Sequence, residues 1–167
     1  DTGIIQNDLG QSITIQTIVN FQEIANYRGI YGYHSAGGST YIGIMSQCNG
    51  DKIQFVMYTG SSTGTAEIEI DKNILYNKNV QITVVMEGKK GIKLYLNGKL
   101  YGEMSTTESL NLYTNMNFVI AKSFNDDNRY FKGTMSNFRV YKKALTDSEI
   151  QQNYKADIQR YDLDTIE

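Results

Sequence analysis

The stretch GIKLYLNGKL, Gly91–Leu100, decides the fold. Ile92, Leu94 and Leu96 fall on alternate residues, so a strand carries all three on one face and Lys93, Tyr95 and Asn97 on the other. Asn97-Gly98 then supplies two residues that tolerate positive φ, the signal for a tight hairpin turn. Upstream, GKKG (Gly88–Gly91) reads as a second short turn. It is preceded by Val80, Ile82, Val84 and Met86 at the same period of two.

The pattern repeats along the chain. Ile13, Ile15, Val19 and Phe21 line one side of a long first strand, and Ile53, Phe55 and Met57 line another, with Gln54 and Tyr58 opposite. Short strands separated by polar turns imply an antiparallel sandwich or barrel. One helix is expected, near the end. In LTDSEI, Thr146 is the N-cap and Glu149 sits three residues later, a capping box; Leu145 and Ile150 can close a hydrophobic staple around it. Residues 156–167 read as a continuation of that helix or as a linker.

The 167 residues suit one domain with a full core. With 40% apolar and 20% charged residues, disorder is not expected. No apolar run is long enough to span a bilayer, and no signal peptide is visible. A net charge of −2 with scattered basic residues argues against nucleic acid as a partner. Asp1 in the first position reads as a domain excised from a longer polypeptide. Cys48 is the only cysteine, so no internal disulfide forms; a nucleophilic role would need His34, the only histidine. The 13 tyrosines, with no tryptophan or proline, form a compositional bias shared with AT-rich bacterial genomes.

Two blocks carry a family resemblance. Leu94–Lys99 reads "hydrophobic, x, hydrophobic, Asn-Gly-Lys". About thirty residues on, Phe131–Tyr141 (FKGTMSNFRVY) precedes Ala144–Ile150 (ALTDSEI). This arrangement resembles the laminin-G-like, concanavalin A-like lectin jelly rolls. SITIQTIVNF and TYIGIMSQCNGDKIQF stand where a first strand and a middle hairpin would be. The chain departs from the pattern at Ser136-Asn137, in place of the usual acid, and in lacking a tryptophan near Val80-Gln81. The resemblance implies an all-β, antiparallel jelly-roll β-sandwich with one short C-terminal helix. It places binding sites on a loop edge or a concave face, and in many members a calcium at a rim loop. A similar jelly roll forms half of the receptor-binding region of clostridial neurotoxins.

Three stretches are candidate sites. NYRGIYGYHSAGGSTY concentrates Tyr27, Arg28, Tyr31, Tyr33, His34 and Tyr41, the rings and hydrogen-bonding groups that bind a sugar. In SFNDDNRYF, Asn125, Asp126, Asp127 and Asn128 offer oxygen ligands to Ca²⁺. EIEID puts Glu67, Glu69 and Asp71 on one side of a strand. Jelly-roll glucanases carry a similar Glu-x-Asp-x-(x)-Glu pattern, in which Glu67 would be the nucleophile. Here the last acid is the shorter Asp71 and the chain has no tryptophan platform, so the three carboxylates read as the wet side of a strand.

The sequence therefore reads as a non-catalytic carbohydrate-binding module of a larger bacterial or phage surface protein. It would work outside the cell, on a cell or virion surface, with a glycan and the other domains of its polypeptide as partners. The alternative is a structural or protein-interaction domain of an adhesin, toxin or tail fibre; a glycoside hydrolase ranks below both.

Overall fold

A computed structural model describes residues 11–37, 40–60, 65–110, 112, 118–123 and 129–166. Among the described residues, ten strands make two antiparallel sheets packed face to face. In chain order they are β1 (Ser12–Glu23), β2 (Tyr31–Gly37), β3 (Thr40–Asn49), β4 (Lys52–Thr59), β5 (Ala66–Asp71), β6 (Val80–Glu87), β7 (Gly91–Leu96), β8 (Lys99–Ser105), β9 (Val119–Ile120) and β10 (Lys132–Tyr141). A single turn of helix, α1 (Lys72–Leu75), follows β5, and α2 (Asp147–Asp157) follows β10. The first sheet runs β10-β1-β6-β7-β8 and the second β5-β4-β3-β2-β9.

The alternation read from the sequence places the core. Ile13, Ile15, Val19 and Phe21 of β1 face Ile53, Phe55 and Met57 of β4, with Val84, Leu94 and their neighbours completing one buried cluster. Asn97 and Gly98 have φ of 50° and 74°, so the β7–β8 turn is the tight hairpin the Asn-Gly pair predicts. The capping box is also present: the Glu149 backbone N–H donates to Thr146 Oγ1, and Glu149 Oε2 accepts from the Thr146 N–H at 2.9 Å.

One strand face differs from the expectation. Tyr95, predicted on the polar side of β7, is buried, because α2 lies across the outer face of the first sheet. Leu145 and Ile150, the staple pair, close a second small core there with Val85 and Tyr95. The Tyr95 hydroxyl donates to Asp147 at 2.6 Å. The far end of α2 is tied down by charge. Asp157 is fully buried and accepts from Arg139 at 2.7 and 2.8 Å and from Gln81 at 2.7 Å.

Asn137 follows Ser136 in the segment where the closing strand departs from the usual acid. It sits at a bulge in β10 with φ 63°, and its amide donates to both Asp157 oxygens at 3.2 Å. An acid at 137 would face that carboxylate and repel it. Beyond α2 the described residues 158–166 form no helix or strand but are pinned. Asp164 exchanges hydrogen bonds with the Asn79 backbone at 2.7 and 2.9 Å, and its carbonyl accepts from Asn97 at 2.7 Å.

Candidate functional site

The structure divides the tyrosine-rich stretch into three. Tyr31 and Tyr33 alternate with Gly32 on β2, and both point into the sandwich. Their rings lie near Phe118, with centroids 6.3 and 6.0 Å away. This corrects the expectation for those two residues: at 1% and 0% exposure neither offers a face to a sugar. His34 and Tyr41 lie towards the β2–β3 turn, on paired strands, and the described structure does not extend to their side chains. Tyr27 and Arg28 stand apart from both groups, in the connection between β1 and β2 at the rim.

Tyr27 is held from several directions. Its backbone is left-handed, φ 67°, which an aromatic residue rarely adopts without compensation. Its N–H donates to the Cys48 carbonyl at 2.7 Å, and the Cys48 N–H donates to the Arg28 carbonyl at 2.7 Å. The Ser123 hydroxyl donates to the Tyr27 carbonyl. Gly29 makes the approach possible: a Cβ there would lie 1.9 Å from the Ser46 carbonyl oxygen. The side chain that results is 49% exposed.

The rim gathers further groups around this ring. The Arg129 guanidinium lies 4.7 Å from the Tyr27 centroid, a cation–π contact worth about 0.5–1 kcal/mol at an exposed site. Tyr130, also 49% exposed, has the Lys122 ammonium 5.5 Å from its centroid. Arg28 pairs with Glu23 at 2.9 Å, and Asn26 accepts from the Gly50 N–H at 2.7 Å. Two of the candidate stretches thus meet here, because Ser123 and Arg129 both touch Tyr27. The four proposed calcium ligands, Asn125 to Asn128, lie outside the described residues. Arg129 and Tyr130 belong to the SFNDDNRYF stretch, directly after the proposed calcium ligands. The adjacent cation and ring, Arg-Tyr, were the available signal.

The carboxylates of EIEID are arranged as strand alternation dictates. Ala66, Ile68 and Ile70 are buried, while Glu69 is exposed. Gln54 Nε2 donates to Glu67 at 2.6 Å and to Glu69 at 3.0 Å, and Gln54 accepts from Gln47 at 2.9 Å. Partial burial, then the charge of Glu69, raises the Glu67 pKa above its ordinary value of 4.5. An acid whose folded pKa is raised makes stability fall as pH rises through the window above that ordinary value. Glu67→Gln removes the penalty and keeps an acceptor for Gln54. It is expected to raise the melting temperature at pH 7 by about 1–2 °C, solvent screening keeping the gain small. The gain should vanish below pH 4.5, where the parent is also neutral. A lower melting temperature at pH 7 in a calorimetric scan would refute this account.

Cys48 is buried, and burial pushes its thiol up to about 12 against the opposing charge of Arg28. It is a protonated thiol at neutral pH, unsuited to nucleophilic attack.

Two packed antiparallel sheets closed by a short C-terminal helix define a jelly-roll β-sandwich domain. The chain belongs to the concanavalin A-like lectin/glucanases superfamily, whose laminin-G-like family model matches residues 3–151. No curated protein sequence matches it. Among solved structures, it is similar to a botulinum neurotoxin type C structure concerned with cell entry and two ganglioside molecules. That match has 16% identity and a TM-score of 0.64, over 90% of this chain and 36% of the other. The binding domain of botulinum neurotoxin DC, in complex with rat synaptotagmin II, matches with 13% identity and a TM-score of 0.62, over 90% and 37%. A candidate carbohydrate-binding protein from Bacteroides ovatus matches with 16% identity and a TM-score of 0.63, over 91% and 42%. This chain spans less than half the length of each, and the likeness establishes the fold.

Proposed function

We propose that this domain is a non-catalytic carbohydrate-binding module that takes a glycan at the Tyr27 rim. The observation that carries the reading is the half-exposed Tyr27 ring, fixed on a left-handed backbone beside the Arg129 guanidinium. A pyranose has an apolar face and an equator of hydroxyls. A tyrosine ring takes the face with little loss of side-chain entropy, and Arg, Lys and Asn take the hydroxyls. The similarity to a botulinum neurotoxin whose cell entry depends on two ganglioside molecules and to a candidate carbohydrate-binding protein supports this reading.

The reading extends to context. The domain would serve a larger bacterial or phage surface protein, outside the cell, with other domains of the same polypeptide beside it. Calcium at Asn125, Asp126, Asp127 and Asn128 belongs to the same proposal; it would supply a hard cation for sugar hydroxyls to coordinate. A second reading, as a structural or protein-interaction domain, draws on Leu100 and Ile158, which are 44% and 48% exposed.

The test is a glycan array, run with calcium and then with EDTA. Tyr27→Ala is expected to weaken binding about 10- to 30-fold, the size of an interface hot spot, while Tyr27→Phe keeps most of it. Loss of binding in EDTA would support the calcium ligands. A blank array with a stable oligomer in solution would favour the second reading.

A further inference from the structure

Three cavities lie at the end of the sandwich that holds the Tyr27 rim, and each shares one lining residue with the next, so they trace a path, termed the trough. The first, about 330 Å³, starts at Glu23, the partner of Arg28, and reaches Asn73 and Tyr76. The second, about 550 Å³, shares Asn73 and runs past Lys78 to Thr165. The third, about 430 Å³, shares Thr165 and is lined by Leu100, Tyr101 and Ile158 between the Asn97-Gly98 turn, the end of α2 and the tail. Each falls in the size range of small-molecule sites, roughly 300–1,000 Å³.

The walls are preformed. Asn97 accepts from the Gln81 N–H at 2.9 Å and donates to the Asp164 carbonyl at 2.7 Å. Tyr154 packs so closely on Gly98 that a Cβ there would lie 2.9 Å from its own Cβ. Gln151 donates to the Gly98 carbonyl. Turn, helix and tail therefore form one rigid surface.

The exposed tyrosines follow this path. Among the described residues, the four most exposed are Tyr27 and Tyr130 at the rim, Tyr76 in the first cavity and Tyr101 in the third. Volume alone does not pick out this route. A larger cavity of about 830 Å³ lies at the opposite end, by the Gly88–Gly91 turn, but its lining holds no aromatic ring. Two of its lysines, Lys90 and Lys93, are already paired with Glu87 and Glu103.

We infer that the ligand is a linear polysaccharide several sugars long, which meets the Tyr27 rim and lies in the trough past Tyr76 to Tyr101. This rests on the rim reading, since the rim is the first station. Rings spaced along a trough suit a polymer whose repeating units each present an apolar face. The polar side chains between them, Asn73, Lys78 and Thr165, suit its hydroxyls. Continuity with the rim selects this occupant over a second copy of the chain. Successive units on one polymer reinforce each other's binding, because each bound unit raises the local concentration of the next.

The experiment uses oligosaccharide ladders, from disaccharide to octasaccharide, derived from cellulose, starch and hyaluronan, with calorimetry on the whole chain. For at least one ladder, affinity should rise tenfold or more from disaccharide to hexasaccharide. Tyr76→Ala and Tyr101→Ala should each reverse part of that rise and leave disaccharide affinity unchanged, while Tyr27→Ala weakens every length. On the unsubstituted protein, amide signals of Tyr76, Lys78, Tyr101 and Thr165 should shift with the hexasaccharide and not with the disaccharide. Affinity flat with length and sensitive only to Tyr27→Ala overturns the trough and leaves the rim standing. Binding indifferent to Tyr27→Ala overturns both, and no binding by any ladder overturns the linear polysaccharide while the glycan array decides the rim.

Discussion

Asp157→Ala should destabilise the domain by about 3–5 kcal/mol, the cost of removing one partner from a buried ion pair. Asp157 is fully buried at the last position of α2, where the helix dipole disfavours an anion. It persists there because four donors converge on it: both Arg139 guanidinium nitrogens, the Gln81 amide and the Asn137 amide. Arg139 also donates to Gln16 at 2.9 Å, and Gln16 donates to Thr83 at 2.9 Å, so the network crosses β10, β1 and β6. Truncation leaves a largely buried guanidinium and two amides without their acceptor. Against a total stability of about 5–15 kcal/mol for a domain, the loss is severe. Urea unfolding measures it. A change under about 1 kcal/mol would mean that water replaces the carboxylate, and the network would then carry little of the stability.

Gly133→Ala is the second large effect, expected at about 3 kcal/mol from strain and overpacking together. Gly133 has φ 150°, a conformation L residues rarely adopt. A Cβ there would lie 1.9 Å from the Asn20 carbonyl oxygen, at the point where β10 pairs with β1 beside a register shift. Backbone cannot yield as a flexible side chain would, so the edge strand must move away from Phe21. Hydrogen exchange checks this directly. The variant should lose protection at residues 132–136 before the β6–β7 hairpin does, and equal protection in parent and variant would contradict the argument.

What was legible in the sequence was local. Asn97-Gly98 fixes its own turn, and Thr146 with Glu149 fixes its own helix start, because each signal acts within four residues. Period two sorted the faces of β1, β4, β6 and β7 for the same reason. It also contained the answer for Tyr31 and Tyr33, which share a face; treating the tyrosines as one cluster hid it. Tyr95 could not be read correctly from its strand, since the helix that covers it begins fifty residues later. The pairing of Arg139 with Asp157 and the meeting of Tyr27 with Arg129 depend on chain crossings that no local pattern records. Asn125 to Asn128 remain a proposal drawn from composition.

The place of β1 has a consequence for how the protein is made. Its neighbours on the two sides are β6 and β10, with Thr14 paired to Val85 and to Tyr141. Within this domain β1 is translated before every other described strand and β10 after them all. Until then a twelve-residue strand, buried along most of its length in the finished fold, waits without its second neighbour. Such distant pairing belongs to folding in milliseconds to seconds rather than microseconds. The nascent domain therefore carries β1 with one edge unpaired until β10 has emerged, and a holding factor in the cell would find purchase there.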